Sequence, residues 1–323
     1  MLVLQSRHYH TESEEISMSD YLIETKQLTK TYGDQAVVKN IDLHVKPGRI
    51  YGILGRNGAG KTTIMKMILG LTPITSGEVD VFGQNIKGHE KRIYPRIGAI
   101  IETPGFYPNL TGTENLEIFA KLRGTPRPNA VKNALEVVGL PYRDKKLFSK
   151  YSLGMKQRLG IANAILHDPE LLILDEPTNG LDPNQIVEIR HLIKEIAADH
   201  AVLLSTHILP EVQATCNNIK MIEQGKLVFS GSIDEFNNYV APSSLLVKLD
   251  ITPPLEALKA IDGVLQVEEI KPRNYRLQFD ASKDISEHVV QLSVANNWQL
   301  AEIQLERLSL DAIFAQLSGK KVQ

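Results

Sequence analysis

A glycine-rich segment that ends in lysine and threonine limits the possible folds of this chain more than any other feature. Residues Gly55 to Thr62 fit the G-x-x-x-x-G-K-[ST] pattern. The apolar run Ile50 to Leu54 before it predicts a strand, and Thr63 to Leu69 after it predicts a helix. A strand that enters a helix through such a turn directs backbone N–H groups and the positive helix end at one place, which binds phosphate. We therefore predict a P-loop that binds a nucleoside triphosphate, through Gly55, Arg56, Asn57, Gly58, Ala59, Gly60, Lys61, Thr62 and Thr63.

Lys61 and Thr62 take different parts in this pattern. The ammonium group of Lys61 is expected to span the β- and γ-phosphates, and the hydroxyl of Thr62 to ligate Mg²⁺. A flexible glycine turn with no ligand is the alternative interpretation. The strand on one side and the helix on the other favour the phosphate site.

Two carboxylates end a second apolar run, Leu171 to Leu174, and they are Asp175 and Glu176. Ligands of open α/β sheets collect at the carboxyl ends of the strands. If this strand neighbours the Ile50 to Leu54 strand, the two acids lie beside the P-loop. Phosphoryl transfer requires a bound metal and a positioned nucleophile. We assign Asp175 to Mg²⁺ and Glu176 to the attacking water, although an acidic pair alone is equally compatible with a solvated loop.

The rest of the pattern predicts two domains in a chain of 323 residues. From residue 21 to 238, short β-rich runs alternate with helical stretches, which predicts an α/β fold with a largely parallel sheet. Residues 243–318 follow the order β-α-β-β-α-β plus a last helix, Leu310 to Leu317. This order predicts a small ferredoxin-like α+β domain. Residues 1–20 are polar and acidic and are expected to be disordered, although a translation start near Met18 explains them equally well.

Charge and cysteine content argue against several classes of protein. Lysine plus arginine numbers 36 and aspartate plus glutamate 38, so no net field recruits nucleic acid. Cys216 is the only cysteine, which excludes a disulfide framework and fits a reducing compartment, the cytoplasm. No apolar run approaches the roughly 20 residues that a membrane-spanning helix requires. We expect a cytoplasmic protein with no nucleic-acid partner.

Four further segments, in the right order, resemble the nucleotide-binding domain of ABC transporters. Tyr32 precedes the P-loop strand, Ser152-Leu-Gly154-Met-Lys-Gln-Arg158 is similar to the signature motif, Gly180-Leu-Asp182 to the D-loop, and His207 to the switch histidine. The resemblance implies a P-loop NTPase with a helical subdomain, with ATP and Mg²⁺ as its ligands. It implies that Tyr32 stacks on adenine, that Asp182 lies at the nucleotide, and that His207 contacts the γ-phosphate.

The signature segment also implies a partner subunit. Ser152 and Gly154 are predicted to open a helix, and a helix N-terminus is a second anion site. Only one set of motifs is present. By resemblance, Ser152 and Gly154 contact the ATP held by the opposite subunit, so we expect a homodimer or a heterodimer with a similar chain. The pair is expected to drive separate ABC-2 type transmembrane permease chains, and to lie peripherally on the inner face of the cell membrane.

The chain departs from the family pattern at three positions. Glu102 stands where most members have glutamine, and Leu153 and Met155 replace a glycine and a glutamine of the signature. A carboxylate at residue 102 can still ligate Mg²⁺ and accept a hydrogen bond from water, so we place Glu102 with the catalytic and metal residues. This glutamate resembles the E-loop of exporters that protect against lantibiotics.

The departures and the small C-terminal domain together resemble the bacitracin-resistance and multidrug-export branch. The resemblance implies export of a drug, an antibiotic peptide or a lipid-like substrate. Two alternatives stay open. One is an importer ATPase with a regulatory C-terminal domain, and the other is a soluble ABC ATPase outside transport. The segment between Lys61 and Ser152 is too short for a long coiled-coil insertion, which argues against the second alternative.

Overall fold

The computed structural model describes residues 21–102, 105–124, 127–239, 243–280 and 282–306, together with Ile313 and Leu317. The predicted N-terminal extension and most of the last predicted helix lie outside the described residues. Contacts divide the chain into two compact units, which meet in sequence between Leu227 and Val228. The domain limits 21–238 and 243–318 stay predictions.

A six-stranded sheet has five of its strands entirely within the first unit. Its strands are β4 (Ile50–Leu54), β7 (Ile97–Ile100), β8 (Leu171–Asp175), β9 (Ala201–Thr206), β10 (Asn218–Glu223) and β11 (Lys226–Ser232). Their order in the sheet is β11-β10-β4-β9-β8-β7, and the four pairings from β10 to β7 are parallel. Every residue of β4, β8 and β9 is buried, as expected for parallel strands covered on both faces. The predicted α/β fold is confirmed.

β9 lies between β4 and β8, so the strand of the P-loop and the strand of the acidic pair are not neighbours. The sequence alone placed the two acids beside the P-loop only if these strands were neighbours, and that assumption was wrong. Leu54 pairs in register with Thr206, and Asp175 with Ser205. The three strands thus end at the same edge within one residue of each other, and the acids still reach the P-loop.

A second, antiparallel sheet belongs to the same unit. It contains β1 (Ile23–Tyr32), β2 (Gln35–Ile41), β3 (His44–Val45), β5 (Ser76–Val81) and β6 (Gln84–Asn85). Its buried side chains, such as Ile23, Val38 and Val79, share one hydrophobic core with Ile53 and Ile173 of the central sheet. This core supports the loop that follows β4.

Seven helices accompany these sheets in the described part of the first unit. They are α1 (Lys61–Ile68), α2 (Glu90–Ile93), α3 (Gly112–Leu122), α4 (Ala130–Val137), α5 (Leu153–Ile165), α6 (Pro183–Ile196) and α7 (Leu209–Thr215). α3, α4 and α5 contact one another and form the predicted helical subdomain. Across the described ranges, no helix combines the length and the apolar character needed to cross a membrane.

The second unit contains a four-stranded antiparallel sheet of its own. Its elements are α8 (Ile233–Tyr239), β12 (Ser244–Leu249), α9 (Leu255–Lys259), β13 (Val264–Lys271), β14 (Asn274–Phe279), α10 (Ser286–Ala295) and β15 (Leu300–Leu305). The sheet order is β13-β14-β12-β15. From β12 to β15 the chain therefore follows the predicted β-α-β-β-α-β order. A separate core, which includes Val247, Leu277 and Trp298, fills the space between sheet and helices.

Candidate functional site

The P-loop wraps around the side chain of Lys61. The ammonium group of this first residue of α1 donates hydrogen bonds to the backbone oxygens of Gly55, at 2.8 Å, and Arg56, at 3.3 Å. Gly60 has a φ of 108°, and a Cβ atom there would lie 2.9 Å from the carbonyl oxygen of Val37. Only glycine fits this position, because an L side chain meets both backbone strain and a close carbonyl.

An open cavity of about 230 Å³ lies over this loop. Backbone and side chains of the P-loop form one wall, and residues from β2 and from the segment after β8 form the others. The lining residues are Val37, Asn57, Gly58, Ala59, Gly60, Lys61, Thr62, Thr63, Glu176 and Asn179. The cavity therefore brings most of the predicted phosphate-binding residues together with the predicted base.

Asp175 is buried at the end of β8 and accepts hydrogen bonds from two hydroxyl groups. Thr62 Oγ1 lies 2.8 Å from Oδ2 and 3.1 Å from Oδ1 of Asp175. Ser205 Oγ lies 2.5 Å from Oδ1. The carboxylate is thus fixed from both α1 and β9.

Glu176 lies between the two cationic or hydrogen-bonding groups that the sequence assigned to the γ-phosphate. Its Oε1 is 3.1 Å from Lys61 Nζ, and its Oε2 is 2.9 Å from His207 Nδ1. The backbone of Glu176 has a φ of 47°, a left-handed conformation that is uncommon outside glycine. This conformation turns the side chain away from the strand and toward the cavity.

The donor atoms around Thr62 and Asp175 fit a magnesium site. Mg²⁺ prefers oxygen ligands and usually keeps waters and substrate phosphates in its coordination shell. The described residues contain no group of three or more histidine, cysteine, aspartate or glutamate side chains that could hold a metal. The hydroxyl and carboxylate that are present suit an ion that takes its remaining ligands from a nucleotide and water.

Glu102 is held by a lysine instead of by the predicted metal residues. Its Oε1 lies 2.6 Å from Lys66 Nζ, one helical turn after Thr62 on α1. The hydrogen bond to Glu102 raises the pKa of Lys66, and the charges of Glu102 and Asp175 add to this effect. Glu102 itself is exposed, has a φ of 59° and does not line the cavity.

The other predicted nucleotide residues lie outside the cavity of their own chain. Tyr32 is 52% exposed at the end of β1, and the Lys30 ammonium lies 4.6 Å from its ring centroid. Ser152 caps α5, where its hydroxyl accepts from Met155 N–H at 3.3 Å, and Gly154 is buried. Asp182 caps α6 by accepting from two backbone N–H groups at 3.0 Å.

Sequence reasoning missed four residues at or beside this site. They are Val37 and Asn179 in the cavity wall, Lys66 beside Glu102, and Ser205 beside Asp175. Ser205 left a usable signal, because it is a polar residue at the carboxyl end of an otherwise apolar strand. Val37 left none, because a half-buried valine in a strand is ordinary.

Known proteins resemble this chain in sequence and in fold. Residues 38–179 match the family model described as ABC transporter. The bacitracin transport ATP-binding protein BcrA of Enterococcus faecalis is 43% identical over 303 residues, which cover 93% of this chain and 97% of that relative. The linearmycin resistance ATP-binding protein LnrL of Bacillus subtilis (strain 168) is 32% identical, over 94% of this chain and 100% of the relative. A solved ATP binding subunit of an ABC transporter is 31% identical, with a TM-score of 0.61 over 68% of this chain and 92% of that one.

Proposed function

Because the chain belongs to the family of ABC transporter ATP-binding proteins, we propose that it hydrolyses ATP to drive export of an antibiotic through separate membrane chains. The observation that carries the ATPase part is the position of Glu176, between Lys61 and His207 at the wall of the P-loop cavity. The names of the relatives support the antibiotic, since BcrA is a bacitracin transport protein and LnrL a linearmycin resistance protein. Resistance favours export over import.

The side chains around the cavity are suited to phosphoryl transfer. Lys61 and the backbone of the P-loop would bind the β- and γ-phosphates, and Thr62 and Asp175 would hold Mg²⁺, whose charge would offset that of the phosphates. Lys61 and His207 both contact Glu176. A γ-phosphate competes for these two contacts. The carboxylate of Glu176 is then released to accept a hydrogen bond from the attacking water.

We place Ser152, Gly154 and Asp182 at the nucleotide of a second copy. This assignment is supported by the exposure of Ser152 at the start of α5 and of Asp182 at the start of α6. Neither of these residues, nor Gly154, lines the cavity of its own chain. A homodimer that encloses two ATP molecules brings both sets of residues together. The N-terminus of α5, which Ser152 opens, then serves as the second anion site.

The dimer is proposed to act on ABC-2 type permease chains at the inner face of the cell membrane. The segment after Glu102 and the subdomain of α3, α4 and α5 provide the contact. ATP binding closes the dimer and hydrolysis opens it, because the nucleotide makes its additional contacts only in the closed state. The permease converts this cycle into transport.

The variant Glu176→Gln tests the ATPase proposal. The amide still binds near Lys61 but no longer accepts the proton of water, so ATP should bind and hydrolysis should fall by about 100-fold or more. We expect a dimer on size-exclusion chromatography with ATP and Mg²⁺, and a monomer without ATP. Lys61→Ala should remove ATP binding and the dimer together.

Glu170→Gln is the matched control, because Glu170 lies at the opposite end of β8 and is paired with Arg96. It should keep wild-type turnover and show no trapped dimer. Normal turnover in Glu176→Gln, with no ATP-dependent dimer, would contradict the assignment of Glu176.

Export is tested in a bacitracin-sensitive strain that expresses the chain together with the proposed permease. We expect the inhibitory concentration of bacitracin to be higher than in the parent strain, and this increase to be lost when the chain carries Glu176→Gln. Equal sensitivity with the active and the inactive chain would contradict bacitracin as the substrate. Lower cellular bacitracin in the active strain separates export from other forms of protection.

A further inference from the structure

We infer that Ser205 is a positioning residue that holds the two catalytic acids in place through one hydroxyl group. The inference rests on the proposed ATPase function of Asp175 and Glu176. Ser205 is fully buried on β9 and does not line the cavity, so it acts through its neighbours. Its hydroxyl makes one hydrogen bond to each acid.

The first bond orients the carboxylate of Asp175. Ser205 Oγ donates to Asp175 Oδ1 at 2.5 Å, and the register of β8 and β9 places the two residues directly opposite each other. The other described donor to this carboxylate is Thr62. The Thr62 oxygen is also the proposed metal ligand, so its bond to Asp175 must adjust when the metal binds. Ser205 has no such second task and can keep Asp175 in one orientation throughout the cycle.

The second bond fixes the backbone of Glu176. The N–H group of Glu176 donates to Ser205 Oγ at 3.0 Å and to the carbonyl oxygen of Ser205 at 3.2 Å. Glu176 holds a left-handed φ of 47°, and such a conformation persists only where its surroundings over-determine it. Ser205 supplies two acceptors at this point. The orientation of the Glu176 side chain, between Lys61 and His207, follows from the backbone that Ser205 holds.

A buried hydroxyl can also serve stability alone, and Thr25 provides the comparison within the same chain. Thr25 is fully buried as well, and its hydroxyl donates to Ile41 O at 2.7 Å and accepts from Leu43 N–H at 2.9 Å. The bonding pattern matches that of Ser205, with one donated and one accepted bond. Both partners of Thr25 are backbone groups away from the cavity.

The test compares Ser205→Ala and Thr25→Val in the full chain. We expect Ser205→Ala to lower kcat by about 10- to 100-fold, the usual loss for a hydrogen bond to a charged group. ATP affinity measured without Mg²⁺ should change by less than about twofold, since Ser205 does not touch the cavity. The Mg²⁺ concentration for half-maximal turnover should rise. Thr25→Val should lower the melting temperature while it keeps kcat.

A second pair of variants separates the hydroxyl from side-chain volume. Thr and Val have nearly the same shape, so Ser205→Thr and Ser205→Val strain the buried site equally. We expect at least about tenfold higher kcat in Ser205→Thr, because only threonine keeps the donor. Equal turnover in these two variants, or wild-type turnover in Ser205→Ala, overturns the inference.

The controls distinguish a failure of the role of Ser205 from a failure of the proposed ATPase function. A wild-type chain that binds ATP but never hydrolyses it, alone or with its permease, removes the proposed function and the inference with it. An active wild type whose Ser205→Ala variant keeps the same kcat and Mg²⁺ dependence removes only the role of Ser205. An equal loss of kcat in Thr25→Val assigns both hydroxyls to stability.

Discussion

At the scale of single residues, Lys66 and Glu102 form an ion pair one helical turn from Thr62, a proposed Mg²⁺ ligand. Glu102 contributes a negative charge there, and Lys66 Nζ lies 2.6 Å from its Oε1. The hydrogen bond and the charge of the carboxylate raise the pKa of Lys66 and so favour its charged form.

Two variants of this pair should shift the Mg²⁺ dependence of turnover in opposite directions. Glu102→Gln removes a negative charge, so the half-saturating Mg²⁺ concentration should rise by about two- to tenfold while hydrolysis persists. Lys66→Met leaves the carboxylate unpaired, and the same concentration should fall. ATPase rates across a Mg²⁺ titration measure both effects. Lys132→Met, on α4 and paired with Glu136, is the control and should change neither.

Identical Mg²⁺ curves for the wild type and both variants would show that the pair has no influence on the metal. A fall in both variants would indicate a structural effect of the ion pair instead of an electrostatic one.

Cys216 gives a residue-scale probe of folding. The thiol is buried behind β4, and burial raises its pKa to about 12. Only the thiolate reacts, so we expect a thiol reagent at pH 8 to label the native protein at least about 100-fold more slowly than the unfolded protein. A disulfide reagent that releases a coloured thiolate on reaction allows the labelling rate to be followed by absorbance, with and without urea. Fast labelling of native protein would contradict the burial of Cys216.

At the scale of elements, one buried carboxylate joins three segments around the site. Glu211 on α7 accepts from Thr178 Oγ1, after β8, and from Thr206 Oγ1, at the end of β9, each at 2.8 Å. All three residues are buried. Thr206 Oγ1 also accepts from Ile208 N–H at 3.1 Å. The segments that carry Glu176 and His207 are thus fastened to the same helix.

Removal of this carboxylate should loosen both segments. Glu211→Ala leaves two buried hydroxyls without their acceptor, and we expect the free energy of unfolding to fall by about 2–4 kcal/mol. Glu211→Gln keeps an acceptor and should cost less than half as much. Urea denaturation followed by circular dichroism gives both values, with Glu188→Ala on the exposed face of α6 as the control. Equal losses in the alanine and glutamine variants would point to packing instead of hydrogen bonding.

At the same scale, some strands could be predicted from the sequence and others could not. β4, β8 and β9 were predicted because each is short, is mostly apolar and leads into a polar or glycine-rich turn. The antiparallel sheet was missed because its strands mix buried and exposed residues, as β1 does, and so lack a continuous apolar signal. Strand order cannot be deduced from such runs. The position of β9 between β4 and β8 depends on how the connecting helices pack. The sequence marks Ser205 as a polar residue near a strand end, but its contact with Asp175 follows only from that strand order.

At the scale of the whole molecule, the described residues include two hydrophobic cores that share no residue. The core of the second unit includes Leu277, and all four strands of its sheet lie within residues 244–305. The predicted sequence of elements sufficed here because each strand and helix is short and separated by a clear turn. The sequence of this unit does not indicate what it binds, since the buried residues that define its fold serve packing.

Residues 243–318, the predicted second domain, should therefore fold when expressed alone. We expect a cooperative urea transition by circular dichroism, and a loss of about 2–5 kcal/mol in Leu277→Ala, because leucine to alanine in a core leaves a cavity. Lys248→Ala, on an exposed position of β12, should change the stability of the fragment by less than about 0.5 kcal/mol. A fragment without a cooperative transition would contradict the predicted domain limit.

The insertion of β9 between β4 and β8 has a consequence for synthesis on the ribosome. A nascent chain that has emerged as far as Glu176 already carries the phosphate loop and the acidic pair, yet the strand that lies between β4 and β8 has not emerged. We therefore expect ATP to give this early chain little protection. Protection should begin only after β9 and His207 leave the exit tunnel, because the residues around the nucleotide are brought together only then.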